Sequence, residues 1–389
     1  MTSEPILFTL FLIFTGAAVL ATSALYARQS LLVVYIIAGL VFGPSGFKLV
    51  TDPEVIKEIS HIGIIFLLFL LGLNLPFDKL THLLHKITFV TLFSSALFFI
   101  AGFGVALVFD FTVAESLIVG AAAMFSSTIV GLKLLPTTVL HHRHQGEIII
   151  SILLLQDILA IIVLTVLQAG HSNGFPWKDL GMLFVALMGI SLAAYLFHRF
   201  ILVRVIARFD RIQEFVFVVT IGWCLGIAQL AASFNLSYET GAFIAGVAFA
   251  TNPIALYIAE TLKPLRDFFL ILFFFALGAT FHLEVARSIL LPALVMAIIL
   301  LVIKPVIFNL LLQRISESAR DSQEIGFRLG QASEFSLLIA VLAVDMQIIS
   351  MKTGYLIQVY TLITFIVSSY LVVFRFPTPV AVSDKLRRD

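Results

Sequence analysis

Thirteen long apolar runs, separated by short connectors and mostly near the width of a bilayer, constrain this chain more than any other feature. They fall near residues 5–26, 30–49, 55–75, 87–109, 113–139, 147–169, 179–201, 213–233, 238–258, 265–281, 285–312, 322–348 and 354–375. A helix crosses the hydrocarbon core with roughly 20 mostly apolar residues. The mean hydropathy is +1.10, and 60% of the 389 residues are apolar against 12% charged, which is too apolar for an ordinary soluble core. The expectation is an all-α polytopic membrane protein of about 13 transmembrane helices, forming one transmembrane domain over residues 1–381. No Lys or Arg precedes the first run, Ile6 to Leu25, so it reads as a membrane helix and not as a secretory signal.

An odd number of spans puts the termini on opposite sides. Leaving out Lys304, which lies inside a run, eighteen Lys and Arg residues fall on one side and five on the other. Positive charge marks the cytoplasmic side. The expected orientation in the cell (inner) membrane is therefore N-terminus outside and C-terminus cytoplasmic, with residues 382–389 a short cytoplasmic tail. A net charge of +1 and the lack of a basic stripe argue against nucleic acid as a partner. The single cysteine, Cys224, sits in an apolar run and reads as a small buried hydrophobe.

Two runs are built differently from the rest. The fifth carries Gly120, Ser126, Ser127, Thr128, Gly131 and Pro136, and the twelfth carries Gly326, Gly330 and a polar stretch from Gln331 to Glu334. Both read as interrupted helices. Unwound backbone at membrane depth is tolerated only where it is buried in protein or lines a cavity, and paired interruptions mark transporter binding sites. The two lie seven spans apart, as expected of inverted repeats joined by the seventh helix.

A charge at the bilayer centre costs about 2.5–3.5 kcal/mol even on permissive scales. Three ionisable residues stand there nonetheless: Asp157 in the sixth run, Lys304 in the eleventh and Glu334 at the break of the twelfth. Asp157, the Gln156 amide and the Ser126, Ser127 and Thr128 hydroxyls are hard oxygen ligands, suited to an alkali cation and not to a soft metal. A carboxylate also takes a proton, so one site can serve both ions in competition. Lys304 and Glu334 read equally well as participants or as charges that balance an acid or a broken helix. His141, Arg143, His142 and His144 read as a solvated turn, and Arg328 as an ion-pair partner of Glu324 four residues earlier. The chain has no His-Glu-x-x-His, Gly-x-Ser-x-Gly or phosphate-loop motif, so no enzyme activity and no cofactor are expected.

Several short segments, in this order and spacing, make the chain resemble the Kef-type branch of the monovalent cation:proton antiporters. They are Ala38-Gly39-Leu40-Val41-Phe42-Gly43-Pro44-Ser45-Gly46, Phe69-Leu70-Leu71-Gly72-Leu73-Asn74-Leu75, Phe125-Ser126-Ser127-Thr128, Leu155-Gln156-Asp157-Ile158, Gly241-Ala242-Phe243-Ile244-Ala245-Gly246 and Ser333-Glu334-Phe335. The resemblance implies a homodimer with two broken helices crossing beside the cation site. It implies a mobile core, about 87–169 and 285–375, working against a scaffold of about 5–75 and 213–281, with a linker helix at about 179–201. It also implies that Asp157 binds cation and proton in turn, that the Gln156-Asp157 pair goes with potassium, sodium being the alternative, and that Lys304 matches a core lysine. Kef-type proteins commonly continue into a nucleotide-sensing domain, which this chain lacks after Asp389; regulation then falls to the transporter alone, to a separate cytoplasmic subunit, or to a domain that has been cut away. A gated efflux channel and an organic-anion carrier are the competing readings; the second has no Arg at the interruptions to clamp a carboxylate.

Overall fold

The computed structural model describes residues 6–26, 31–50, 54–73, 77–128, 131, 144–169, 177–209, 212–234, 236, 238–250, 252, 254–281, 283–315 and 317–376. These residues form helices α1 (Ile6–Tyr26), α2 (Leu31–Phe42), α3 (Glu54–Leu73), α4 (Phe77–Val108), α5 (Val113–Ala123), α6 (His144–Ala169), α7 (Trp177–Phe197) and α8 (Val203–Phe209), with a π turn (His198–Leu202) joining the last two. There follow α9 (Gln213–Ser233), α10 (Tyr238–Ala250), α11 (Ile254–Ala279), α12 (Leu283–Arg314), α13 (Ala319–Arg328), α14 (Glu334–Asp345) and α15 (Met351–Arg375). No strand occurs among the described residues. Each of the thirteen apolar runs overlaps at least one of these helices, and among the described residues seven spans, in α1, α4, α6, α7 with α8, α9, α12 and α15, are long and apolar enough to cross a bilayer.

Two boundaries differ from the hydropathy reading. The run taken as 238–258 stops at Ala250, and the next helix begins at Ile254, well before residue 265. Asn252 sets the restart, its side-chain oxygen accepting from Ile254 N at 3.1 Å and its carbonyl from Ala255 N at 2.9 Å, an N-cap that hydropathy does not register. The helix expected over 179–201 runs on to Phe209 through the π turn, whose buried His198 packs on Phe249 with centroids 4.6 Å apart and the rings tilted by 54°. Helix starts elsewhere carry ordinary caps: Thr112 with Glu115 for α5, Ser318 for α13, Ser333 with Ser336 for α14 and Ser350 for α15.

The chain divides into two compact units. The first comprises Met1–Phe14, Ala38–Thr81 and Leu164–Thr280. Inside it, α3 passes α10 at glycines: a Cβ on Gly246 would lie 2.1 Å from Phe69 O, and one on Gly72 would lie 2.5 Å from Phe243 O. Lipid tails are as apolar as leucine, so helices in a membrane associate through such close approach and dispersion. Phe66, Phe69, Trp223 and Phe249 fill the space around the contact, and Trp223 Nε1 donates to Ala245 O at 3.0 Å. Cys224 is buried in the same cluster.

The second unit comprises Thr15–Ile37, His82–Val163 and Phe281–Asp389. Its core joins α4, α6, α12 and α13 through Ile87, Val90, Phe98, Ile152, Phe308, Ile325 and Leu329. Gly326 lets α13 lie against α12, since a Cβ there would be 2.7 Å from Pro305 O. That approach carries the end of α13 to the level of Lys304.

Candidate functional site

Within the second unit, both interruptions appear where glycines and hydroxyls accumulate. Helix α5 ends at Ala123, and Phe125, Ser126 and Ser127 are non-helical before Thr128 resumes helical geometry. Helix α13 ends at Arg328, and Leu329 to Ser333 separate it from α14. Ser side chains compete with the backbone for its own hydrogen bonds, and Gly carries the largest entropic cost in a helix, so both stretches resist helix.

Unwound backbone in a buried place must find partners, and here it can be accounted for group by group. In the first break, Ser126 N donates to Gln156 Oε1 at 2.9 Å, while Met124 O accepts from Gln156 Nε2 at 3.3 Å. Phe125 O accepts from Lys304 Nζ at 2.5 Å. Ser127 O accepts from Gly131 N at 3.0 Å and from Gln331 Nε2 at 3.3 Å. In the second break, Leu329 O accepts from Ser126 Oγ at 2.8 Å, Gln331 O from Lys304 Nζ at 3.1 Å, and Ala332 N donates to Thr364 Oγ1 at 3.0 Å. Ser336, in the first turn of α14, donates to Ala122 O at 2.6 Å. The two breaks are thus bonded directly to each other.

Lys304 is fully buried, and its ammonium bridges a carbonyl of each break. Both carbonyls lie just past the C-terminal ends of α5 and α13, where helix dipoles concentrate negative potential. The ring of Phe98 lies 5.1 Å away, adding a cation–π contact. Glu334 opens α14, at the end of a helix that favours an acid.

Asp157 is 2% exposed. Its Oδ1 accepts from Thr128 Oγ1 at 3.5 Å, the outer limit of a hydrogen bond, and its Oδ2 accepts none among the described residues. Glu334 is the acid whose charge bears on it. A buried carboxyl with one oxygen uncommitted either holds a proton or needs a cation, since an isolated buried charge is costly.

All seven residues singled out from sequence, Ser126, Ser127, Thr128, Gln156, Asp157, Lys304 and Glu334, lie in this unit at the two breaks or on the helices bonded to them. They are not equivalent. Gln156 uses both ends of its amide on the first break, and Ser126 gives its hydroxyl to Leu329 O, while Asp157 Oδ2 accepts no hydrogen bond among the described residues. Arg328, the last residue of α13 before the second break, pairs with Glu324 at 2.7 Å. His141, His142, Arg143 and the side chain of His144 lie outside the described residues. Residues given no role from sequence complete the scaffold: Gln331, noted only as the start of the polar stretch, with Ser336, Thr364 and Ser368, the last donating to Gln331 Oε1 at 3.0 Å. The i, i+4 spacing of Thr364 and Ser368 in an apolar span is the signal that points to them.

Residues 9–374 match the family described as sodium/hydrogen exchanger, transmembrane. Among solved structures, the fold is similar to that of the sodium proton antiporter MjNhaP1 from Methanocaldococcus jannaschii at pH 8, with a TM-score of 0.70 and 15% identity over 93% of this chain and 94% of that one. An electron-microscopy structure of the same antiporter gives a TM-score of 0.67, again at 15% identity, over 95% of this chain and 96% of that one.

Proposed function

The chain belongs to the sodium/hydrogen exchanger transmembrane family, a family of multi-pass membrane transporters and not of enzymes, and from that premise we propose that it exchanges potassium for protons at Asp157. The observation that carries the reading is the uncommitted Oδ2 of this buried carboxyl beside two unwound helices. Proton and cation compete for it, and because each is released only on the side to which the site opens, neither crosses without the other. Thr128 Oγ1, 3.5 Å from Asp157 Oδ1, is a neutral oxygen to offer the cation. Gln156 in place of a second acid leaves one titrating carboxyl in the pair, which favours one-for-one exchange, and Lys304 serves as a fixed counter-charge for two helix ends.

The wider cycle follows the Kef-type resemblance. A homodimer in the inner membrane, N-termini outside, holds a scaffold against which the core of about 87–169 and 285–375 moves in elevator fashion. Sodium is the alternative cargo, favoured by the description of MjNhaP1 as a sodium proton antiporter.

The test is proton movement in proteoliposomes driven by potassium, sodium, lithium and rubidium gradients, with voltage clamped and then released. Exchange led by potassium and insensitive to voltage is expected, and Asp157→Asn abolishes it while the protein remains folded. Exchange that survives Asp157→Asn overturns the site; current through the wild type without proton coupling overturns the carrier in favour of a channel.

A further inference from the structure

We infer that Gln331 is a positioning residue that holds Thr128 on Asp157, acting through the Ser127 peptide; this rests on the exchange reading of Asp157. Gln331 is fully buried, and each of its polar side-chain atoms is committed. Nε2 donates to Ser127 O at 3.3 Å, and Oε1 accepts from Ser368 Oγ at 3.0 Å. The amide orientation follows from its neighbours, because a carbonyl oxygen can only accept and so must face the NH2 group. Its own carbonyl accepts from Lys304 at 3.1 Å.

The position of this side chain gives it leverage. Ser127 is the last residue of the first break, and the next residue, Thr128, donates to Asp157 Oδ1 at a loose 3.5 Å. A contact at that distance is sensitive to a small displacement of the Ser127 peptide. The Ser127 carbonyl accepts from Gly131 N, within its own segment, and from Gln331 Nε2, reaching over from the second break. Gln331 is in turn tethered to α15 by Ser368. A line of hydrogen bonds therefore runs from α15 through the second break to the first and ends on the carboxyl. The other two clamps, Gln156 and Lys304, bind the first break earlier, at residues 124 to 126.

Truncation of Gln331 releases the peptide and with it the Thr128 hydroxyl. The measurement is cation KM and maximal rate for Gln331→Ala, Thr128→Val and the double variant in proteoliposomes, with Asp157→Asn alongside. Each single variant is expected to raise the cation KM several-fold with the maximal rate within about twofold, and the double variant to be no worse than Thr128→Val alone, because both act on one contact. Ser368→Ala, which leaves the amide in place but untethered, shifts KM in the same direction by less, and it carries the test against Thr128→Val if Gln331→Ala does not fold. Additive effects of the two sites on KM, or a loss confined to maximal rate, overturn the inference while the exchange reading stands. Exchange surviving in Asp157→Asn overturns the assignment of the exchange site to Asp157.

Discussion

The unlike fates of neighbouring side chains decide what each residue at the crossing can do. Gln156 and Asp157 are adjacent in sequence, yet the amide is bonded at both ends to the first break while the carboxyl keeps an open oxygen. An amide suits the first position because it presents a donor and an acceptor at once, which a carboxylate cannot. Gln156→Glu replaces the donor facing Met124 O by an acceptor, and its expected cost is about 1–3 kcal/mol, read as a lower melting temperature in detergent. Lys304→Met strips the ammonium from Phe125 O and Gln331 O and is expected to cost more than Lys304→Gln, which retains a donor. If the lysine serves only to balance the helix ends, Lys304→Gln keeps measurable one-for-one exchange; its complete loss at full expression assigns the lysine a direct part.

At the scale of elements, α5 and α15 are stitched together at their starts as well as linked through the crossing. The Glu115 carboxylate closes the capping box of α5 with Thr112 and also accepts from Ser350 Oγ at 2.6 Å and Thr353 Oγ1 at 2.7 Å, at the cap of α15. One acid thus serves the positive ends of two helices. Glu115→Ala removes both sets of bonds, with an expected loss of about 1–3 kcal/mol of stability by thermal denaturation, while Ser350→Ala, which keeps the α5 box, loses less. Much of this level was legible beforehand. The serines and glycines of the fifth and twelfth runs announced both breaks, and the buried acids and lysine announced which residues meet there. What hydropathy missed has a common cause. The restart at Ile254 depends on one Asn side chain, the π turn at His198 on a single extra residue, and the clamping roles of Gln156 and Gln331 on which groups stand opposite an amide. Each of these is a matter of hydrogen-bond direction in three dimensions, to which composition and period are blind.

Taken as a whole, the molecule packs helices by close backbone approach in both units, at Gly72 and Gly246 in the first and at Gly326 in the second, and the second adds buried side-chain hydrogen bonds at the two breaks. Stability and ion binding should therefore be separable by substitution. A Cβ on Gly246 meets Phe69 O at 2.1 Å, so Gly246→Ala forces the α3–α10 contact apart, at an expected cost of about 1–3 kcal/mol. That damage lies outside the unit containing Asp157. A cation that binds only the folded protein adds stability according to its occupancy, about 2.7 kcal/mol at a hundredfold excess over Kd. Gly246→Ala should begin from a lower melting temperature than the wild type and rise by the same increment when potassium is added at a pH where Asp157 is ionised. Asp157→Asn should show no increment, whatever its starting point. Potassium that stabilises Asp157→Asn as much as the wild type would place the cation elsewhere, and an increment lost in Gly246→Ala would mean that the packing of the first unit shapes the site in the second.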